Sequence, residues 1–358
     1  MRLIITGGGT GGHVFPGVAV AKEIMRRDGK NEILFVGAAG GVETRIVPKE
    51  GFEIETLKVT GMKGKGIAKK IASAGQFAAA TLRARAIVKR FAPDVVLGVG
   101  GYASGPVCAA SALTGTPLAL AEQNAMPGMT NRWLGRFARK AFVTWEESLS
   151  WFPIGVGMVT GNPIRPEFDD VKRSRADGLL GILVIGGSQG ATSMNKAMTQ
   201  AVPALNAFAQ KIRVVHQTGA KDIEAARSAY SGAAFAWEAE VFLNDMPQRL
   251  ADADLVISRS GAGAVAEICA VGRPAVYIPF PHAADDHQTK NAEALVKSGA
   301  AMMIPDRELD AEAVVNLVKR FVNDGEGLAQ MAAKAAALAK KDAASVIADE
   351  LMKMAEAA

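Results

Sequence analysis

The chain has 358 residues, enough for two domains, with a net charge of +5 and only two cysteines. Sparse aromatics, abundant glycine and a predominance of aliphatics and alanine favour an α/β protein with tight strand-to-helix turns over an all-β one. Cys108 and Cys269 lie in apolar helical contexts, which argues against a disulfide framework or a cysteine metal site, and no apolar run is long enough to span a bilayer.

Leu3–Thr6 reads as a short buried strand, not a targeting segment, and Gly7–His13 as the turn after it. Pro16 suits a first helical turn, and the spacing predicts a helix to Arg27 that stops at Gly29. Glu32–Val36 predicts the second strand, and residues 44–48 and 52–59 continue a strand-like alternation. From Met62 to Arg90 the chain carries Lys63, Lys65, Lys69, Lys70, Arg83, Arg85, Lys89 and Arg90 but no acid. Ile67, Ile71, Ala74, Ala78 and Leu82 share one helical face there. Such a segment suits a membrane surface, or a helix packed on the sheet with its charges solvated. Asp94–Val99 predicts a strand that ends in Gly100–Pro106, and 117–121 another that brings Glu122, Gln123 and Asn124. A second basic cluster follows, Arg132, Arg136, Arg139 and Lys140, with Trp133 and Phe137 interleaved.

Residues 161–166, Gly-Asn-Pro-Ile-Arg-Pro, form a stiff stretch suited to a hinge. The expected division is a domain of 1–161, a hinge at 162–166, a domain of 167–340 and a final helix, 341–358, packing back toward the first domain. The second half restarts the pattern with a strand at 181–185 and the turn Gly186–Ala191. Segments 213–216, 233–236, 241–243 and 274–279 are further strand candidates. Leu255–Ile257 is a buried strand followed by Ser258-Arg259-Ser260-Gly261-Ala262-Gly263-Ala264-Val265-Ala266-Glu267, a small-residue turn opening into a helix. Strands alternating with helices in both halves predict two doubly wound parallel sheets, whose ligands bind beyond the carboxyl ends of the strands. Two such domains facing each other would line one cleft.

The chemistry of the turns narrows the function. Helix N-termini reached through glycine turns attract anions. Glu267, about one and a half turns into its helix, could accept two hydrogen bonds from a vicinal diol such as a ribose; the alternative is a surface Glu behind a glycine-rich loop. Gly7–Gly12 formally matches a dinucleotide fingerprint, but the end of strand two reads Val36-Gly37 where that site needs an acid, so hydride transfer is disfavoured. His13 follows the turn and suits a general base. Asp252-Ala253-Asp254 precedes its strand, which puts it on the opposite edge from the ligand turns as loop and capping acids. No metal cage is evident, and a departing diphosphate would be stabilised by helix N-termini, Arg165, Ser188 and Ser260.

Seven motifs in order resemble the MurG family of N-acetylglucosaminyltransferases: residues 8–13, 100–106, 122–124, 161–165, 186–190, 259–262 and 286–288. The resemblance covers nearly the whole chain. It implies a GT-B fold and inverting transfer of N-acetylglucosamine (GlcNAc) from UDP-GlcNAc. The acceptor would be the C4 hydroxyl of MurNAc in undecaprenyl-diphospho-MurNAc-pentapeptide, lipid I, giving lipid II without a cofactor. It also implies a peripheral protein on the cytoplasmic face of the bacterial inner membrane, with anionic lipid and cell-wall synthesis proteins as partners and no nucleic acid.

Carried over by motif, Thr10, Gly11 and Gly12 face phosphates, and Arg165, Ser188 and Gln189 meet the donor diphosphate or ribose. Ser260, Gly261, Ala262, Gly263, Ala264, Val265, Ala266 and Glu267 hold UDP, with Glu267 on the ribose. Leu243 meets uracil, and Asn124 and Gln288 contact GlcNAc. His13, Glu122 and Tyr102 form the catalytic group, and His13, Glu122 or a water takes the proton. The chain departs from the family pattern at Ala121 and at the hydroxyl-free run 262–266. The rivals are another GT-B enzyme, such as a UDP-GlcNAc 2-epimerase, and a UDP-sugar-binding membrane protein without turnover.

Overall fold

The computed structural model describes residues 1–59, 67–175, 177–187 and 189–357, and only the backbone along 67–74. The lysines at 63, 65, 69 and 70, the side chains of Ile67, Ile71 and Ala74, and Ser188 therefore lie outside what is described. The chain divides into two compact units, Met1–Arg165 with Lys340–Ala358, and Pro166–Ala339.

The first unit runs β1 (Arg2–Thr6), α1 (Gly11–Arg27), β2 (Glu32–Ala38), α2 (Glu43–Lys49), β3 (Glu53–Leu57), α3 (Ile67–Phe91), β4 (Val95–Gly98), α4 (Ser104–Thr114), β5 (Leu118–Glu122), α5 (Met129–Leu134), β6 (Lys140–Val143) and β7 (Gly157–Val159). Among the described residues its strands form one parallel sheet in the order β3-β2-β1-β4-β5-β6-β7. Leu3 and Ile5 point to one face, against Val14, Val18 and Ile24 of α1. Ile4 points to the other, with Ala84 and Val88 of α3 and Val107 and Cys108 of α4. Covering both faces makes the inner strands β1, β4 and β5 predominantly apolar, as buried parallel strands require, whereas the edge strand β3 carries Glu53 and Glu55.

The second unit runs β8 (Leu180–Ile185), α6 (Thr192–Leu205), β9 (Ile212–Gln217), α7 (Ile223–Tyr230), β10 (Ala236–Glu240), α8 (Met246–Asp252), β11 (Leu255–Ser258), α9 (Ala262–Ala270), β12 (Ala275–Tyr277), α10 (His287–Lys297), β13 (Ala301–Met303), α11 (Ala311–Asn323) and α12 (Gly325–Leu338). Its parallel order is β10-β9-β8-β11-β12-β13. The last helix, α13 (Ala343–Glu356), returns to the first unit. There Ile347, Ala348, Leu351 and Met354 complete the core beside α1, and Arg27 donates to the Ser345 carbonyl at 2.9 Å.

Two local readings of the sequence are corrected. Residues 44–48 are helical, within α2, because Val42, Ile46 and Val47 pack on the core at helical spacing. The strand candidates 233–236 and 241–243 lie at the two ends of the real strand β10, the first overlapping it at Ala236, and among the described residues β10 pairs with β9 alone. It is an edge strand whose Glu238 and Glu240 pair with Arg249 and Arg227, so no apolar run marks it.

His216 on β9 is buried, its ring nitrogens 3.0 Å from Tyr230 Oη and from Asn195 Oδ1. Burial lowers its pKa from 6.5 to about 4. In the unfolded chain His216 binds a proton below about 6.5, whereas in the fold it stays neutral until about 4, so its contribution to stability is lost as pH falls through that window. Comparing urea midpoints across this range should show wild type losing about 3 kcal/mol more than His216→Gln. Parallel pH dependence in the two proteins would refute this.

Candidate functional site

In each sheet the chain reverses winding beside the first strand, and the connections after two adjacent strands diverge there. In the first unit these are the turns after β1 and β4, in the second the turns after β8 and β11. Such divergence opens a crevice at the carboxyl ends of the strands.

In the first unit, Gly7–Thr10 and Val99–Ala103 interlock. The Gly8 amide donates to the Gly100 carbonyl at 3.3 Å, and a Cβ on Gly101 would overlap the Gly8 carbonyl. Gly9, Gly100 and Gly101 all have φ between 79° and 92°, a region that glycine enters without strain. Thr10 is the N-cap residue of α1 without a side-chain cap bond to the helix. Its hydroxyl instead lies 3.1 Å from Nδ1 of His13, in the first turn. The other edge of that ring rests on Gly100, where a Cβ would be 2.8 Å from His13 Cδ2. The half-exposed Tyr102 covers Gly9, a Cβ there standing 3.2 Å from its ring. His13, Thr10 and Tyr102 thus gather around one turn. Arg165 lies in the same unit, its guanidinium 5.4 Å from the Phe15 ring centre of α1, and Phe15 also packs on Gly11.

Glu122 ends β5 and is buried. Its Oε1 accepts from the Asn124 backbone amide at 3.0 Å and from Asn124 Nδ2 at 3.2 Å. Its Oε2 accepts from the Gly128 amide and from Asn131 Nδ2, both at 2.9 Å. Burial raises its pKa, and these four bonds pull the other way. The carboxyl is thereby committed to shaping the 124–131 loop and orienting Asn124.

In the second unit, Gly187 and Gly190 have φ of 82° and 75°, and a Cβ on Gly190 would overlap the Thr218 carbonyl. Gln189 is exposed in this turn. The N-cap of α9 is Gly261, again without a side-chain cap. Neither Gly261 nor Gly263 has a positive φ, and a Cβ on either would meet no protein atom within 4 Å. Neither backbone strain nor packing explains glycine at these positions, and its absence of a side chain leaves the main chain there open to close approach. Ala262, Ala264 and Ala266 are small and partly exposed, Val265 faces the core, and Glu267 is half-buried further along α9. Ser260 is buried, its hydroxyl donating to the Gln288 carbonyl at 2.8 Å. The Gln288 side chain accepts from the Phe280 amide at 2.9 Å. Asp252 and Asp254 lie at the opposite end of β11, held by Ser174, Arg173 and Arg175, as expected of loop and capping acids.

The comparisons with known proteins decide the family. Residues 3–143 match the glycosyltransferase family 28 N-terminal domain, and residues 181–347 its C-terminal domain. The chain belongs to glycosyltransferase family 28. It is 43% identical, over 99% of both chains, to the UDP-N-acetylglucosamine–N-acetylmuramyl-(pentapeptide) pyrophosphoryl-undecaprenol N-acetylglucosamine transferase of Syntrophus aciditrophicus. It is 45% identical to the transferase of the same name from Citrifermentans bemidjiense, over 97% of this chain and 98% of that one. The crystal structure of Acinetobacter baumannii MurG matches with a TM-score of 0.80 and 31% identity, covering 98% of this chain and 99% of that one. The fold is GT-B, the resemblance to MurG holds, and the protein is a glycosyltransferase.

This family-28 glycosyltransferase also uses residues to which the sequence alone assigned no role. Gln217 is buried, accepts from the Leu243 amide at 3.0 Å and donates to the Gly187 carbonyl at 3.1 Å, tying the turn after β8 to the chain beyond β10. Arg259 donates to the carbonyls of Ile278 and Pro279 and to Asp306, joining the ends of β11 and β12. Glu43 lies beneath the first glycine turn.

Proposed function

We propose that this protein transfers GlcNAc from UDP-GlcNAc, with inversion, to the C4 hydroxyl of MurNAc in undecaprenyl-diphospho-MurNAc-pentapeptide, making lipid II from lipid I. The observation that carries this reading is the match to transferases named for that reaction over essentially the full length of both chains. His13 takes the proton of the acceptor hydroxyl as its oxygen bonds to the anomeric carbon. The bond from that carbon to UDP breaks, and UDP leaves with the electron pair. The N-termini of α6 and α9 stabilise the leaving diphosphate, assisted by Arg165, Ser188 and Gln189, without a metal. Ala262–Glu267 holds UDP, the Leu243 main chain reads uracil, and Gln288 and Asn124 hold GlcNAc. Thr10, Gly11 and Gly12, at the N-terminus of α1, receive acceptor phosphate. Tyr102 borders the acceptor, and Glu122 sets Asn124 in place.

UDP release measured with a lipid I analogue tests the reaction. Release that requires the acceptor and persists in chelator is expected. UDP-ManNAc formed without acceptor would move the reading to an epimerase. UDP-GlcNAc binding without release would move it to a non-catalytic binder.

No helix among the described residues is long and apolar enough to cross a membrane. The acceptor's lipid then requires the enzyme to meet the bilayer from the surface. We assign that contact to the cytoplasmic face of the inner membrane, where cell-wall synthesis proteins also act. Trp133 and Phe137 are 67% and 58% exposed, and Arg136 lies 5.7 Å from the Trp133 ring centre. Aromatic rings beside a basic group suit anionic headgroups, whereas Lys140 of the same cluster is already paired with Glu350 at 3.2 Å. Trp133→Ser with Phe137→Ser should weaken binding to vesicles containing anionic lipid by roughly tenfold or more, leaving UDP-GlcNAc affinity unchanged. Undiminished vesicle binding would place the contact elsewhere.

A further inference from the structure

We propose that Glu43 is a positioning residue for the transfer reaction, holding the glycine turn that carries Thr10 and His13. The inference rests on His13 acting in that reaction. Glu43 opens α2, and its side chain turns inward to become almost wholly buried. Oε1 accepts from the Ala38 amide at 2.8 Å, at the end of β2. Oε2 accepts from the Gly9 amide at 3.0 Å, in the turn after β1. One carboxyl thus bridges the ends of two adjacent strands.

The surrounding glycines form a socket for that carboxyl. A Cβ on Gly8 or Gly41 would overlap its terminal atoms, and one on Gly37 would lie 2.5 Å from its Cγ. With the Gly9 amide drawn down toward Glu43 and Tyr102 packed above Gly9, the turn is held from both sides just before Thr10 and His13. Burying a carboxyl is costly unless its oxygens are bonded, and here the two oxygens find two main-chain donors. An acid near the end of β2 is the feature by which a dinucleotide site holds ribose hydroxyls from outside. Here the acid lies beyond the strand and beneath the turn, where it sets the turn's shape.

An amide at this position offers one acceptor and two donors, so Glu43→Gln places a donor against one of the two main-chain amides. Gly41→Ala perturbs the carboxyl from the other side while keeping every hydrogen-bonding group, and the backbone at Gly41 tolerates alanine because its φ is not positive. A shift of about 1 Å in a reacting group costs on the order of a hundredfold in rate. The test measures kcat with a lipid I analogue, UDP-GlcNAc affinity by calorimetry, and Tm, for wild type and both variants. The UDP-holding residues Ala262–Glu267 lie in the other unit. The expected result is therefore a fall in kcat of about ten- to a hundredfold, with donor affinity and Tm near wild type. A folded Gly41→Ala protein with wild-type kcat overturns the proposal even if Glu43→Gln does not fold. So do losses of rate that track losses of Tm and donor affinity. Failure of wild type itself to release UDP would instead overturn the transfer reading, so the two failures are separable.

Discussion

Replacing His13 by alanine is expected to lower kcat for acceptor-dependent UDP release by at least about a hundredfold, the scale of a lost general base, without changing UDP-GlcNAc affinity. His13 combines a catalytic type of side chain with a defined place: the first turn of α1, Nδ1 beside the Thr10 hydroxyl, one ring edge on Gly100. The competing carboxyl, Glu122, is 4% exposed, and each of its oxygens already accepts two hydrogen bonds from its own loop. To act as base it would have to release a donor and let the loop move. The pH dependence separates the two. A histidine base must lose its proton to work, so wild-type kcat falls on acidification, and that acid limb should be missing from the residual activity of His13→Ala. A His13→Ala protein within about fivefold of wild type would move the base to Glu122 or to water. A large loss of donor affinity in the same variant would mean that His13 shapes the donor site instead.

How much of this was legible in sequence depends on how far apart the partners lie. The glycine turns could be read because their cause is local: Gly9, Gly100, Gly101, Gly187 and Gly190 adopt a backbone that other residues avoid, each just after an apolar strand. The parallel sheets followed from apolar runs alternating with helical spacing. The edge strand β10 was misplaced because it is charged, and α2 because a segment of five residues cannot distinguish a period of two from one of four. The residues that hold the turns together left no local sign of their partners. Glu43 reaches Gly9 across 34 positions, Gln217 reaches Leu243 across 26, and Arg259 reaches Asp306 across 47. Each is polar and largely buried, and only the fold states what it satisfies. Glu122 shows the converse. Its motif was visible and suggested chemistry, whereas its contacts, all within nine residues, commit it to a loop.

Glu267→Gln should weaken UDP and UDP-GlcNAc binding by about ten- to a hundredfold, the equivalent of losing hydrogen bonds to a charged acceptor. The argument starts from the small residues before it. Gly261 and Gly263 are required neither by φ nor by packing, and α9 begins there without a side-chain cap, so that turn suits a diphosphate against the main chain. With the diphosphate so placed, Glu267, five residues beyond Ala262 on the same helix, can offer both oxygens to the two ribose hydroxyls. An amide offers only one acceptor for the pair. Calorimetry with UDP and with its 2′,3′-dideoxy analogue forms a cycle that isolates this contact. Wild type should prefer UDP strongly, and Glu267→Gln should show a much smaller preference, because the variant has already lost part of the hydrogen bonding that the analogue removes. If the analogue instead loses as much affinity on the variant as on wild type, Glu267 does not touch the ribose. A lowered UDP affinity in the variant would then reflect a displaced α9, which a parallel fall in Tm would reveal.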